Sequence, residues 1–222
     1  MAGKGRTGSN STAGIAEARI APRVTLLLRI AKLVIDAREY PCVLRDVSPG
    51  GIRARLFVPL PDLAECILEL GNGARFALEP VWQRDGEAGF RFREGPIDLA
   101  QLIEEPSPFP RRHLRLRIDA PLMVRLPTDD TALAGRLTDL SQHGAAAELG
   151  PGLALRQLVR LELPHCPPID ARLRWRRGRA HGLVFDRCFR LDELAELARR
   201  LQESSAAVDR TPVPTGLKSR PR

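Results

Sequence analysis

The chain has 222 residues, of which 43% are hydrophobic and 5% aromatic, and its net charge is +8. That length and apolar content suffice for two small cores, and no apolar run approaches the ~18–20 residues needed to span a bilayer. The first 18 residues carry +1 of the charge and the last 18 carry +3, leaving +4 for the middle, a mild basic excess that fits an anionic ligand without requiring one.

Residues 1–18, rich in Gly, Ser and Thr, read as a disordered tail. They lack the continuous apolar core of a secretory signal, so a cytoplasmic location is expected. Beyond them, Leu26-Leu27-Leu28 and Val34-Ile35 are interrupted by Arg29 and Lys32, which suits a strand. Turns are expected at Pro49-Gly50-Gly51, Gly71-Asn72-Gly73 and Arg84-Asp85-Gly86, and Phe90-Arg91-Phe92 alternates as a half-buried strand does. A short helix follows at Leu99–Ile103, and Pro106-Ser107-Pro108-Phe109-Pro110 then breaks the chain. Alternation resumes at Leu114–Ile118, Leu161-Glu162-Leu163 and Leu173-Arg174-Trp175, with turns at Asp129-Asp130 and Pro151-Gly152. Leu191, Leu194, Leu197, Ala198 and Leu201 share one helical face, with Asp192 and Glu193 in the first turn. The expected units are a tail at 1–18, a barrel with a short helix at 19–105, a barrel with an amphipathic helix at 106–203, and a disordered basic tail at 204–222.

Two units are expected because the chain repeats itself 93 residues apart. Asp46, Ser48 and Gly51 recur as Asp139, Ser141 and Gly144, and Trp82, Gly89 and Phe92 recur as Trp175, Gly182 and Phe185. Five to seven short strands per copy argue for a small antiparallel barrel, giving a mainly all-β protein of two tandem barrels, each followed by a helix. Both Trp residues lie in alternating strands with apolar neighbours two positions away, so both are expected in the cores. Cys42, Cys66, Cys166 and Cys188 are spaced too widely for paired metal ligands and read as reduced, buried thiols; neither metal nor cofactor is expected.

The repeated polar cluster carries the chemistry. Arg111 and Arg115, with Arg112 between them, precede Asp139-Leu140-Ser141-Gln142-His143-Gly144; Arg19 and Arg23 stand in the same relation to Asp46-Val47-Ser48-Pro49-Gly50-Gly51. A guanidinium forks onto phosphate or onto the O6 and N7 edge of guanine, while a carboxylate accepts from guanine's N1–H and amino group. Ser adds a small hydroxyl, and Gly removes a side chain where a flat base or the backbone must approach. A guanine nucleotide with phosphates fits this set better than a sugar or a metal.

These residues resemble the PilZ domain family, whose pattern is Arg-x-x-x-Arg, then (Asp/Asn)-x-Ser-x-x-Gly, then a Trp and a closing Gly-x-x-Phe strand. The resemblance covers roughly 19–92 and 111–185, where Gly89-Phe90-Arg91-Phe92 and Gly182-Leu183-Val184-Phe185 supply the closing strands. It implies a six-stranded barrel in each copy and the bacterial second messenger cyclic di-GMP as ligand. By that resemblance Arg111, Arg112, Arg115, Asp139, Ser141 and Gly144 form the binding site. Arg19, Arg23, Asp46, Ser48 and Gly51 form a second, possible one, with Pro22 stiffening its arm and no doubled Arg.

The expected function is a cyclic di-GMP receptor that relays binding by rearranging its barrels or a helix, with a downstream protein partner that the sequence does not name. The exposed candidates for that output are the Leu191–Leu201 helix and the basic tail. The alternative is a ligand-independent adaptor built on the same barrels. Nucleic acid is disfavoured as partner because one Tyr, two Trp and seven Phe give few stacking platforms. No nucleophile–base pair or Gly-rich phosphate loop suggests an enzyme.

Overall fold

The computed structural model describes residues 24–61, 65–103, 113–128 and 131–209. In the first unit β1 (Val24–Ile35), β2 (Arg38–Ser48), β3 (Gly51–Leu56), β4 (Cys66–Glu69), β5 (Arg75–Arg84) and β6 (Glu87–Phe92) close into an antiparallel barrel in the order β1-β2-β3-β6-β5-β4. A single helical turn, α1 (Ala100–Ile103), follows it. The second unit repeats the plan with β7 (Arg115–Arg125), β8 (Ala132–Ser141), β9 (Gly144–Leu149), β10 (Leu158–Glu162), β11 (Ile169–Arg177) and β12 (Ala180–Phe185), in the order β7-β8-β9-β12-β11-β10. α2 (Leu191–Asp209) then runs past residue 204, where the tail was expected to begin. The two barrels confirm the all-β expectation, six strands each. The expected tail at 1–18, the Asp129-Asp130 turn and the boundary at 105/106 lie outside the described residues.

Alternation makes the cores. Leu33, Leu44, Leu68 and Leu78 fill the first barrel, and Leu116, Leu137, Leu161 and Leu173 the second, all essentially without exposure. Each strand sends every other side chain inward, and closure leaves no sheet edge unpaired. The Asp85–Gly86 turn joining β5 to β6 has both residues at positive φ (52° and 73°), the geometry a two-residue hairpin loop requires.

Two irregularities recur at the same 93-residue spacing. The ladder shifts register between Leu44 and Asp46 and again between Pro80 and Trp82; the second barrel shifts between Leu137 and Asp139 and between Leu173 and Trp175. One extra residue in a strand reverses the face taken by every later residue of that strand. Leu137 points inward, and Asp139 therefore points out. Leu173 points inward, and Trp175 stands outside at 39% exposure. The tryptophans thus correct the expectation of core burial: each indole lies on the outer surface over the cross-strand glycine, Trp82 over Gly89 and Trp175 over Gly182.

α2 is capped by the Glu193 carboxylate, which accepts from the Arg190 N–H at 2.8 Å. Its Leu194, Leu197, Ala198 and Leu201 join the core of the second barrel, while Ala195 joins that of the first. The apolar face is therefore spent between the barrels, a correction to its expected role as an exposed output surface.

Candidate ligand-binding site

Arg19, Arg23, Arg111 and Arg112 lie outside the described residues. Among the rest, strand register aligns the second barrel's polar residues across its outer face. Arg117 pairs with Asp139, Asp139 with Ala146, Ala146 with Gly182, and Gly182 with Trp175. Four strands, β7, β8, β9 and β12, so deliver a row that ends at β11: a carboxylate, the small Ala146 as a flat floor, and an indole seated over Gly182 at the far end. The bulges at Thr138 and Arg174 put both ends of that row on the same face.

At the carboxylate end Arg115 Nη1 donates to Asp139 Oδ1 at 2.6 Å, with the guanidinium half exposed. The structure thereby joins two residues 24 positions apart that the sequence assigned to one site. Ser141 and Gly144 play a different part. Ser141 is 3% exposed, and its hydroxyl donates to the Gly144 carbonyl at 2.9 Å, closing the turn between β8 and β9. Gly144 is needed because a Cβ there would run into the Leu183 carbonyl of β12. Both shape the loop, and the Ser141 hydroxyl spends its one donor inside the turn.

Two contacts here carry no signal in the sequence pattern. His113 of the arginine arm stacks on His143 of the loop, with ring centroids 3.9 Å apart and planes tilted by 33°. Burial, and then the neighbouring His113, hold the His143 imidazole below the usual histidine pKa. The loop is also tied to the entry of α2: Gln142 Nε2 donates to the Phe189 carbonyl at 3.1 Å, and the Phe189 N–H donates to the Gln142 carbonyl at 2.8 Å. Two histidines 30 positions apart form no recognisable motif, and sequence reasoning missed them.

The first barrel has the same row with two changes, Thr25 in place of Arg117 and Arg53 in place of Ala146. Asp46 pairs with Arg53, Arg53 with Gly89, and Gly89 with Trp82. Arg53 stands where the second barrel has Ala146, and its Nε lies 2.6 Å from Asp46 Oδ2 while Nη1 reaches Glu87 at 3.5 Å. Asp46, like Asp139, is paired with an arginine, but here the guanidinium comes from the floor position and covers it. Ser48 closes its own turn by donating to the Gly51 carbonyl at 3.2 Å.

Among the described residues no cluster of three or more His, Cys, Asp or Glu could hold a metal ion, and no helix is long and apolar enough to cross a membrane. Fold and row together define a duplicated six-stranded barrel protein with an open polar surface on its second barrel. Residues 109–203, which take in the second barrel and most of α2, match the family model described as the PilZ domain.

No curated protein matches the chain. Solved structures similar to it include the Borreliella burgdorferi PlzA protein in complex with c-di-GMP, 12% identical, covering 79% of this chain and 93% of that one at a TM-score of 0.32. Escherichia coli YcgR in complex with c-di-GMP is 16% identical, with 82% and 84% covered and a TM-score of 0.28. The Bacillus subtilis inhibitor of motility (MotI/DgrA) is 16% identical, with 81% and 99% covered and a TM-score of 0.32.

Proposed function

We propose that the chain is a cyclic di-GMP receptor whose working site is the outer face of the second barrel. The observation that carries this reading is the aligned row from Asp139 to Trp175 within the residues that match the PilZ domain. In it Arg111, Arg112 and Arg115 grip phosphate and the guanine O6/N7 edge, and Asp139 accepts from the guanine N1–H and amino group. Ala146 lets a flat base lie against the strand, and the Trp175 indole, seated over Gly182, closes the far end by stacking. Ser141 and Gly144 hold the loop that aims Asp139. Arg115 exchanges its bond to Asp139 for ligand contacts, or shares it, as the carboxylate takes up the base.

On this reading the first barrel is a companion. Arg53 already fills its floor, whereas the cation on Asp139, Arg115, comes from the arm and leaves Ala146 uncovered. Binding is relayed through the barrel pair and α2, which contacts both cores, to a protein partner not yet identified.

Calorimetric titration with cyclic di-GMP tests the reading. Ala146→Arg, which transplants the first barrel's arginine onto the open floor, should abolish binding, and Arg115→Ala should weaken it by about 10–100-fold, the loss of a charge-assisted hydrogen bond worth ~1.5–3 kcal/mol. Arg53→Ala should leave the affinity of the wild type unchanged. Absence of binding in the wild type would end the receptor reading and favour the adaptor.

A further inference from the structure

The seam between the barrels holds a buried charge cluster placed directly against the arginine arm. Glu39 of β2 is 1% exposed and Lys32 of β1 is 5% exposed. Lys32 Nζ donates to Glu39 Oε2 at 2.8 Å and lies 3.0 Å from Glu69 Oε1. From the second barrel, the Arg117 N–H donates to Glu39 Oε2 at 2.8 Å and Arg117 Nε to Glu39 Oε1 at 2.6 Å; Arg117 Nη2 reaches Glu69 at 3.3 Å. Gln202 of α2 closes the set, its Oε1 accepting from the Glu39 N–H at 2.7 Å and its Nε2 donating to the Glu39 carbonyl at 3.1 Å. A carboxylate this deep is tolerated only when its oxygens are fully bonded, and these bonds come from both barrels.

Two details connect the cluster to the ligand row. Lys32 Nζ also donates to the main-chain carbonyl of Arg115, at 3.1 Å, and so pins the residue whose side chain holds Asp139. Arg117 is the cross-strand partner of Asp139, yet its guanidinium is drawn away to Glu39 and Glu69. The first barrel shows that an arginine cross-strand to this carboxylate can close on it: Arg53, on β3 where the second barrel has Ala146, lies 2.6 Å from Asp46.

We infer that Glu39 and Lys32 of the first barrel are positioning residues for the site of the second. They fix the base of the arginine arm and keep Arg117 off Asp139, so the site is incomplete without its companion barrel. The inference rests on the cyclic di-GMP reading above. It supplies a reason for the pairing of barrels: one binds, and the other sets the charge state of the binding face.

The test is titration of cyclic di-GMP into the full chain carrying Glu39→Gln, Arg117→Met, or both, with thermal unfolding checked in parallel. Glu39→Gln should weaken binding about tenfold, within the usual range of coupling between sites. Arg117→Met alone should bind within about threefold of the wild type, and adding it to Glu39→Gln should restore most of the lost affinity, because the released cation is gone. A purely structural role for Glu39 predicts the opposite, a double variant no better than Glu39→Gln alone. Unchanged affinity in Glu39→Gln, or a loss in Arg117→Met equal to that in Glu39→Gln, overturns the proposal. Should Glu39→Gln fail to fold, Glu39→Asp keeps the charge while shortening its reach and carries the same comparison. A wild type that binds nothing condemns the receptor reading itself.

Discussion

At the scale of single residues, two glycines in one motif face different obstacles. A Cβ on Gly144 meets the Leu183 carbonyl, which is main chain and held in the β9–β12 ladder; a Cβ on Gly182 meets the Trp175 indole, a half-exposed side chain that can swing away. Gly144→Ala should therefore cost about 1–3 kcal/mol, as overpacking against fixed atoms does, and Gly182→Ala clearly less, with a red-shifted indole emission as Trp175 leaves its seat. Equilibrium denaturation and tryptophan fluorescence separate the two. Residue types were the most legible part of the site: Arg115 and Asp139 were assigned together from spacing and meet at 2.6 Å. Glu39 was not legible. Its counterpart 93 positions on is Ala132, so it broke the repeat, but a lone Glu in an alternating strand reads as a solvated face.

At the scale of elements, alternation located the strands and failed at the bulges. Arg174 and Val81 are ordinary strand residues, and nothing in their chemistry announces an extra position. Counting by twos from Leu173 carries Trp175 into the core, whereas the ladder turns it out. The repeat itself held the remedy, because both register shifts recur at one spacing, but only the hydrogen-bond pairing exposes them. α2 was legible as an amphipathic helix, and its apolar stripe was read correctly while its neighbours were not. Leu201 is fully buried against the second barrel, and Gln202 beside it bonds to Glu39 of the first. Leu201→Ala should lower stability by about 2–5 kcal/mol in chemical denaturation, the usual cost of deleting a buried leucine side chain.

At the scale of the molecule, the four thiols report on the two cores separately. Cys42 and Cys66 are buried in the first barrel, and burial pushes the Cys66 thiol up to about 12; Cys42 is raised further, by burial and then by the nearby Cys66. Cys188 is exposed and Cys166 lies half-buried beside the second core. A thiolate-selective alkylating reagent at neutral pH should label Cys188 first and leave Cys42 and Cys66 untouched until the first barrel opens. Mass spectrometry along a denaturant series then shows whether the barrels open together, as the shared Glu39 cluster and α2 require, or one after the other. Labelling of Cys66 at a denaturant concentration where Cys166 is still protected would contradict a joint transition.

Because Gln202 is the residue that closes the Glu39 cluster, order of synthesis enters the picture. The first barrel is complete by residue 92, and roughly 5–20 s of further translation separate it from Gln202 at ordinary elongation rates. Throughout that interval the Glu39 main chain lacks its α2 partner, and before β7 emerges its carboxylate lacks Arg117 as well. The nascent first barrel thus waits with an acidic seam in which Glu39 and Glu69 have Lys32 but not yet Arg117 or Gln202. A chain ending before α2 would hold its barrels through Arg117 and Lys32 alone, without the Gln202 bonds that close the joint.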